Sequence, residues 1–209
     1  DWSSDVCSSD LPAYLLPFAF MMLFHGALTD SFGRRPVVLA GLAVFAIASV
    51  GCALAQTLPQ LLACRALQGM SSGTGMVVGR AMVRDLYVGH HAQRVLSLVT
   101  MIFGLAPAIA PILGGYLEVW FGWRAIFVFL ALFSALLFAC CRARLPESLP
   151  VDKRQPFALA PLVRNYLKLF GSLRFILLSS VLALNFAGFF LYIASAPAVI
   201  YGLLGLNEN

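Results

Sequence analysis

The sequence predicts an all-α membrane protein with about six transmembrane helices. Of its 209 residues, 61% are hydrophobic and only 11% are charged, which is too apolar a balance for a soluble domain of this length. A helix needs ~20 predominantly apolar residues to cross the ~30 Å hydrocarbon layer, and the chain contains several uncharged runs of about that length. This composition excludes a soluble domain, and we expect no nucleic-acid partner.

The uncharged runs divide into individual spans at turn-forming residues. The run at 37–64 is too long for one span, and Pro59 is suited to the first turn of a new helix. The residues at 143–173 carry four prolines and read as a polar linker, with a short surface helix near Leu162–Phe170. The predicted spans lie near residues 12–28, 36–55, 58–82, 95–117, 122–142 and 174–200.

The first eleven residues differ from the rest of the chain. They are polar and lack the basic start and apolar core of a secretory signal. Residues 1–11 resemble the in-frame translation of a common sequencing adaptor, and the alternative is a genuine polar tail. We therefore expect four segments: an adaptor artefact at 1–11, a helical bundle at 12–142, a linker at 143–173 and a further helix at 174–209.

The basic residues indicate the orientation in the membrane. Loops rich in arginine and lysine face the cytoplasm far more often than not. The first, third and fifth links between spans are basic, whereas the second has no basic residue and the fourth has only Arg124 at its edge. The odd-numbered links are therefore assigned to the cytoplasm, and the basic residues of the fifth are expected to contact anionic lipid headgroups.

The first link places one carboxylate, two glycines and paired arginines between two apolar runs. The residues are Gly26, Asp30, Gly33, Arg34 and Arg35. Charges so close to hydrocarbon are costly, so we expect them in a turn that leaves the bilayer. A stop-transfer turn would explain the arginines alone. The spacing Gly-x-x-x-Asp-x-x-Gly-Arg-Arg resembles the signature loop of the major facilitator superfamily, which implies a transporter in which Asp30 and Arg34 latch the cytoplasmic gate.

The third predicted span contains a charged residue. Arg65, Gln68, Gly69 and Ser72 recur at helical spacing and share one face. An arginine within a span costs about 2.5–3.5 kcal/mol on insertion scales, so we expect Arg65 to face a wet cavity or an acceptor, with snorkelling to the outer interface as the alternative. The order Arg-x-x-Gln-Gly resembles a second motif of the superfamily, which implies that Arg65, Gln68 and Gly69 serve substrate and proton coupling.

The next span combines prolines with glycines at Gly104, Pro107, Pro111, Gly114 and Gly115. Each proline removes a backbone hydrogen bond, so the helix should bend, and its small residues predict a tightly packed face. Pro-x-x-x-Pro-x-x-Gly-Gly resembles the antiporter motif of Bcr/CflA-type drug-resistance transporters, although alanine precedes each proline where glycine is usual. Similar resemblances occur at 121–124, 145–149 and 192–197. A kinked helix with no role in export is the alternative.

Together the resemblances imply a fragment of a major facilitator fold, with helices 2–7 of an expected twelve. The implied function is proton-coupled multidrug efflux in a bacterial inner membrane, with a drug and protons as partners, the lipid bilayer as surroundings, and no cofactor or metal. Related exporters keep an acidic residue in the first helix, whereas no acid lies in a predicted span here, so we expect the fragment to be inactive. Alternatives are an exporter of a sugar or metabolite and a non-transporting scaffold; no paired catalytic groups indicate an intramembrane enzyme.

Four further polar residues are not expected to have a role in transport. His25, His90 and His91 lie near predicted span ends or in links, and we interpret them as solvated rather than as a proton relay. Asp85 follows Arg84, and we expect a local pair of little energetic value.

Overall fold

All regular secondary structure in the described part of the chain is helical. The computed structural model describes the backbone of residues 2–197 and the side chains of residues 10–107, 109–188 and 191. The elements in chain order are α1 (Trp2–Phe32), α2 (Arg34–Leu54), α3 (Leu58–Leu86), α4 (His90–Phe121), α5 (Trp123–Arg144), a 3-10 turn (Val151–Lys153), α6 (Leu159–Phe170) and α7 (Leu173–Pro197).

Glycine and proline set several helix boundaries. Gly33 separates α1 from α2 and Gly122 separates α4 from α5, each with a positive φ (99° and 79°). A side chain at either position would be strained, so these turns favour glycine. Thr57 precedes α3, and Pro59 stands in its first turn, which confirms the predicted break within the long apolar run.

Helix α3 lies at the centre of the first compact unit, which comprises residues 1–157. It packs against α1 and α2, and α2 packs in turn against α5. Small residues make these close approaches possible. A Cβ added to Gly41 would lie 2.7 Å from the Thr74 hydroxyl oxygen, and one added to Gly51 would lie 2.7 Å from the Cys64 sulfur. The Ser134 hydroxyl donates to the Leu42 carbonyl at 2.9 Å and joins α5 to α2.

The number of apolar helices differs from the six predicted spans. In the described residues, four helices are long and apolar enough to cross a membrane, and a fifth span results if α6 and α7, bent by 83° at their junction, count as one. Helix α3 is the main difference. It has 29 residues, but it carries polar side chains such as Gln68, Ser71 and Thr74, which are buried in the bundle instead of facing lipid.

Helix α1 is longer than the predicted span at 12–28, because it begins at Trp2 and runs to Phe32. Residues 2–11, which belong to the segment expected to be foreign to the fold, form its first turns. Helix geometry carries no information about the origin of a segment, so the adaptor interpretation stays a prediction.

The second compact unit begins at Ala158 and contains α6 and α7. Helix α6 confirms the short helix expected near Leu162–Phe170. It packs against α7, and the rings of Phe170 and Phe175 meet edge to face with centroids 6.0 Å apart. The side chains of the motif at 192–197 lie outside the described residues.

Helix α4 corrects one expectation. The glycines of its proline–glycine segment were predicted to form a tightly packed face, yet a Cβ added to Gly104, Gly114 or Gly115 meets no described atom within 4 Å. Pro107 is half-buried and Pro111 exposed, within one continuous helix. The reason is that α4 packs against α5 and, at fewer positions, α3, and neither helix reaches this glycine face.

Candidate functional site

Arg34 is the centre of a charged network at the end of the bundle that the basic links assign to the cytoplasm. Its guanidinium lies 2.7 Å from the Asp30 carboxylate and 3.2 Å from the Asp85 carboxylate, and it donates to the Thr29 hydroxyl at 2.6 Å. The Arg34 side chain is only 11% exposed, so these contacts are less screened than an ordinary surface pair. One guanidinium therefore connects the end of α1, the start of α2 and the end of α3.

Glu147, in the segment after α5, caps the start of α2. Its carboxylate accepts hydrogen bonds from the backbone N–H groups of Arg34 (2.9 Å) and Arg35 (3.3 Å). A carboxylate there satisfies unpaired N–H groups and favours the positive end of the helix dipole. It also lies 3.6 Å from the Arg154 guanidinium. The segment beyond α5 is thereby tied to the α1–α2 turn.

Gly33 provides the space that this arrangement needs. A Cβ at this position would lie 2.6 Å from a Glu147 carboxylate oxygen and 2.8 Å from Arg154 Nη2. Two further bonds close the same end: the Gln155 N–H donates to the Asp30 carbonyl at 3.0 Å, and Arg35 donates to the Arg142 carbonyl at 2.8 Å. We call the side chains of Thr29, Asp30, Arg34, Arg35, Asp85, Glu147 and Arg154 the cytoplasmic-end network.

Several expectations for this end are corrected. The predicted link at 26–35 is a single residue, Gly33, because α1 continues to Phe32. Asp85 pairs with Arg34 rather than with its neighbour Arg84, since the end of α3 packs beside the α1–α2 turn. Arg154, expected to contact lipid headgroups, pairs with Glu147.

Arg65 lies in a second polar network between α1, α2 and α3. Its guanidinium binds the Asp10 carboxylate through two nitrogens, each 2.5 Å from an oxygen, and donates to the Gln68 side-chain oxygen at 3.1 Å. The rings of Tyr14 and Phe127 lie 5.3 Å from the guanidinium carbon, within cation–π range. The Arg65 side chain is 19% exposed, so the guanidinium has an acceptor rather than facing lipid.

The Arg65 network extends inward through Gln68. The Gln68 amide is buried and donates to the Ser49 hydroxyl at 2.7 Å, which donates to the Phe45 carbonyl at 2.7 Å. Gly69, one residue further, lies directly against α1. A Cβ there would collide with the Tyr14 carbonyl oxygen and lie 3.3 Å from the Phe18 nitrogen. Gly69 therefore sets the distance between α1 and α3 at this network.

His25 is buried, contrary to the expectation of a solvated residue. It is 3% exposed, and its Nε2 lies 2.8 Å from the Thr74 hydroxyl oxygen. That hydroxyl donates to the Ser71 carbonyl at 2.7 Å, so it accepts from Nε2–H. The reason for the burial is that His25 lies one full turn before Asp30, inside the α1–α3 contact. His90 and His91 are exposed in the first turn of α4.

Sequence reasoning missed the partners that complete both networks. It quoted the segment at 145–149 without giving Glu147 a role, and it set Asp10 aside with residues 1–11. Glu147 lies 113 residues from the backbone it caps, and Asp10 lies 55 residues from Arg65. Within the described residues, no group of three or more His, Cys, Asp or Glu side chains is arranged to hold a metal ion.

The comparisons with known proteins agree with these motifs. Residues 2–208 match the model of the Major Facilitator Superfamily. The chain is 33% identical over 200 residues to Multidrug resistance protein D of Escherichia coli K12, with 96% of this chain and 50% of that protein covered. It is 31% identical over 206 residues to a Bicyclomycin resistance protein homolog of Haemophilus influenzae, with 99% and 52% covered.

A solved structure is also similar to the chain in fold and in sequence. It is the human organic anion transporter MFSD10 (TETRAN), with a TM-score of 0.58 and 30% identity, over 68% of this chain and 34% of that one. The chain spans about half the length of the curated relatives it matches. The resemblance to Bcr/CflA-type transporters, first seen in the proline–glycine segment and in three shorter segments, is confirmed by these relatives. The chain is an integral membrane protein that belongs to the major facilitator superfamily.

Proposed function

We propose that the chain is part of a proton-coupled multidrug exporter of a bacterial inner membrane. Family membership and the resistance proteins among its relatives support export of drugs. The observation that carries the proposal is the Arg65 network, a mostly buried guanidinium that reaches Gln68 and Ser49 inside an otherwise apolar bundle. An intramembrane ionisable group with arranged partners is expected at a substrate or ion pathway.

Arg65 is the coupling residue in this proposal. Its guanidinium group binds a carboxylate through two nitrogens. Protonation of such a carboxylate removes the negative charge that holds the guanidinium. Because we infer that residues 1–11 are foreign to the natural gene, the role is assigned to Arg65 and not to Asp10. In the intact protein we expect an acid from the first helix to take the place that Asp10 occupies here.

The cytoplasmic-end network is the gate latch in this proposal. Superfamily transporters alternate between two open states by rocking helix bundles about a central site. The contacts of Arg34 with Asp30 and Asp85 join three helix ends into one rigid end. Rocking requires such an end to make and break its contacts with the opposite helix bundle as a unit. The proline–glycine segment of α4, Gly104–Gly115, is proposed to flex during the same movement.

Substitution of Arg65 in the intact gene tests the proposal. A drug-sensitive bacterial strain carrying the wild-type gene should gain resistance, Arg65→Ala should abolish the gain, and Arg65→Lys should retain part of it. Arg94→Ala is the matched control, because Arg94 is exposed at the start of α4 and should leave resistance unchanged. Membrane abundance of each variant is measured by immunoblot. Full resistance with Arg65→Ala at normal abundance would support the scaffold alternative and end the proposal.

Export of an organic anion is the second candidate. A similar solved structure is an organic anion transporter, and a guanidinium such as that of Arg65 is suited to a carboxylate substrate. Uptake of a transported substrate into inverted membrane vesicles separates the two candidates. Inhibition of that uptake by anionic dyes, but not by uncharged or cationic drugs, would favour the organic-anion exporter. That result would agree with the metabolite exporter that the sequence leaves as an alternative.

A further inference from the structure

A cleft between α1 and α3 at the cytoplasmic end contains charge that the described residues do not neutralise. The cleft has a volume of about 360 Å³ and is lined by Arg34, Arg80, Arg84 and Asp30 among others. Arg34 is neutralised by Asp30 and Asp85, at 2.7 and 3.2 Å. Among the described residues, Arg80 and Arg84 have neither a hydrogen-bond nor an ion-pair partner.

The two unpaired arginines are positioned to bind one anion together. Arg80 and Arg84 lie four residues apart on α3, so their Cβ atoms are roughly 5–6 Å from one another on the same face. Both line the same cleft. Guanidinium groups bind phosphate oxygens through paired N–H donors, and two of them on adjacent turns match a single phosphate better than a small monovalent anion.

The other wall of the cleft is apolar and leads into the membrane. Met22 and Met76 line its inner part, and each lies eight residues, about 12 Å along its helix, from Asp30 or Arg84. Gly26 lines the cleft on α1, and a Cβ added there meets nothing within 4 Å. The cleft is thus basic at the membrane surface, apolar below it, and open where Gly26 has no side chain.

We propose that this cleft binds the headgroup of an anionic phospholipid of the cytoplasmic leaflet, with the phosphate on Arg80 and Arg84 and the start of an acyl chain beside Met22 and Met76. A free phosphate shares the headgroup chemistry but makes no use of the apolar wall. Basic pockets between transmembrane helices on the cytoplasmic side suit such headgroups. The proposal is independent of the transported substrate.

Lipid titration of the purified 209-residue chain tests the proposal. Phosphatidylglycerol, phosphatidylcholine and inorganic phosphate are added separately in detergent, and bound lipid is counted by native mass spectrometry. Arg80→Gln/Arg84→Gln should weaken phosphatidylglycerol binding by about tenfold or more. Gly26→Leu should weaken it comparably while keeping every charge, because the added side chain fills the cleft. Circular dichroism checks that each variant remains helical.

Two control variants test whether phosphatidylglycerol binding depends on the cleft itself. Arg94→Gln/Arg144→Gln removes two exposed charges from the same membrane side, and Gly79→Leu adds the same side chain where a Cβ also meets nothing within 4 Å. Both should bind like wild type. An equal loss of phosphatidylglycerol binding in the two double-arginine variants would indicate diffuse attraction to surface charge. Normal phosphatidylglycerol binding by Gly26→Leu would show that the lipid does not bind in the cleft. Either result overturns the proposal.

Two further outcomes would also overturn it. Inorganic phosphate that displaces phosphatidylglycerol at equal concentration would identify a site for a free anion. The full-length protein is titrated in the same way, and loss of lipid binding there alone would mean that an acidic segment of the remaining chain covers Arg80 and Arg84.

Discussion

Gly33 shows how a single backbone position supports the cytoplasmic end. Its φ of 99° and ψ of 158° lie in a region that is essentially restricted to glycine. The Glu147 and Arg154 side chains also occupy the space where a Cβ would stand. Conformation and space therefore both require glycine here, whereas at Gly122 only conformation does.

Gly33→Ala should destabilise the protein more than the same change at Gly122. Gly122 has nearly the same backbone conformation, with φ 79° and ψ 167°, but a Cβ there meets nothing within 4 Å. Both variants carry backbone strain of about 1–3 kcal/mol, and only Gly33→Ala also displaces the Glu147 carboxylate. Thermal unfolding in detergent measures the difference. Equal midpoints for the two variants would show that the Glu147 contact contributes nothing.

Gly69→Ala tests the contact between α1 and α3 at the Arg65 network. The added methyl group collides with α1 backbone near Tyr14, and overpacking of this kind costs about 1–3 kcal/mol. Gly75→Ala is the control on the same helix, because a Cβ there meets nothing within 4 Å and alanine is the better helix former by ~1 kcal/mol. The two variants should shift the unfolding midpoint in opposite directions. A rise for both would contradict the close packing of α1 on α3.

At the scale of elements, the start of α2 depends on a residue outside that helix. Its first N–H groups are capped by Glu147, which follows α5. Glu147→Ala should lower the free energy of unfolding by about 0.5–2 kcal/mol, the usual loss for an N-terminal cap, and Glu147→Gln should lose less because one acceptor oxygen remains. Glu118→Ala removes an exposed acid at the other end of the bundle and should change little. Equal unfolding midpoints for Glu147→Ala and Glu118→Ala would refute the capping role.

The elements were easier to predict than their contacts. Uncharged runs, Pro59 and the linker prolines located the helices because hydrophobic length and backbone restriction are local properties. The partners of Arg34 and Arg65 that are distant in sequence could not be predicted in the same way. Asp85 lies 51 residues from Arg34, and only the packing of α3 brings them together.

The predictions for polar residues inside helices were partly right and partly wrong, for a related reason. Arg65, Gln68 and Gly69 share one face through helical periodicity alone, and the structure places all three toward α1 or α2. His25 was misread because it was judged by its distance from the helix end. Burial depends on which helix lies opposite, and here that helix is α3.

At the scale of the whole molecule, the chain covers about half of the Escherichia coli and Haemophilus influenzae relatives. Within its first unit, α1, α2, α3 and α5 form a packed group, while the glycine face of α4 meets no described neighbour. A transport cycle by rocking bundles needs two such units around one cavity. We propose that the helices of this unit fold around the Arg65 network without forming a complete transport pathway.

We therefore expect the 209-residue chain alone to transport nothing. Liposomes containing it, loaded with a pH-sensitive dye, should show no drug-dependent proton flux, because transport by rocking bundles needs two bundles around one site and the described helices of the first unit form a single packed group. Liposomes containing the full-length protein should show flux that Arg65→Ala abolishes. Flux from the 209-residue chain that Arg65→Ala removes would mean that these helices, alone or as a dimer, already enclose a complete pathway.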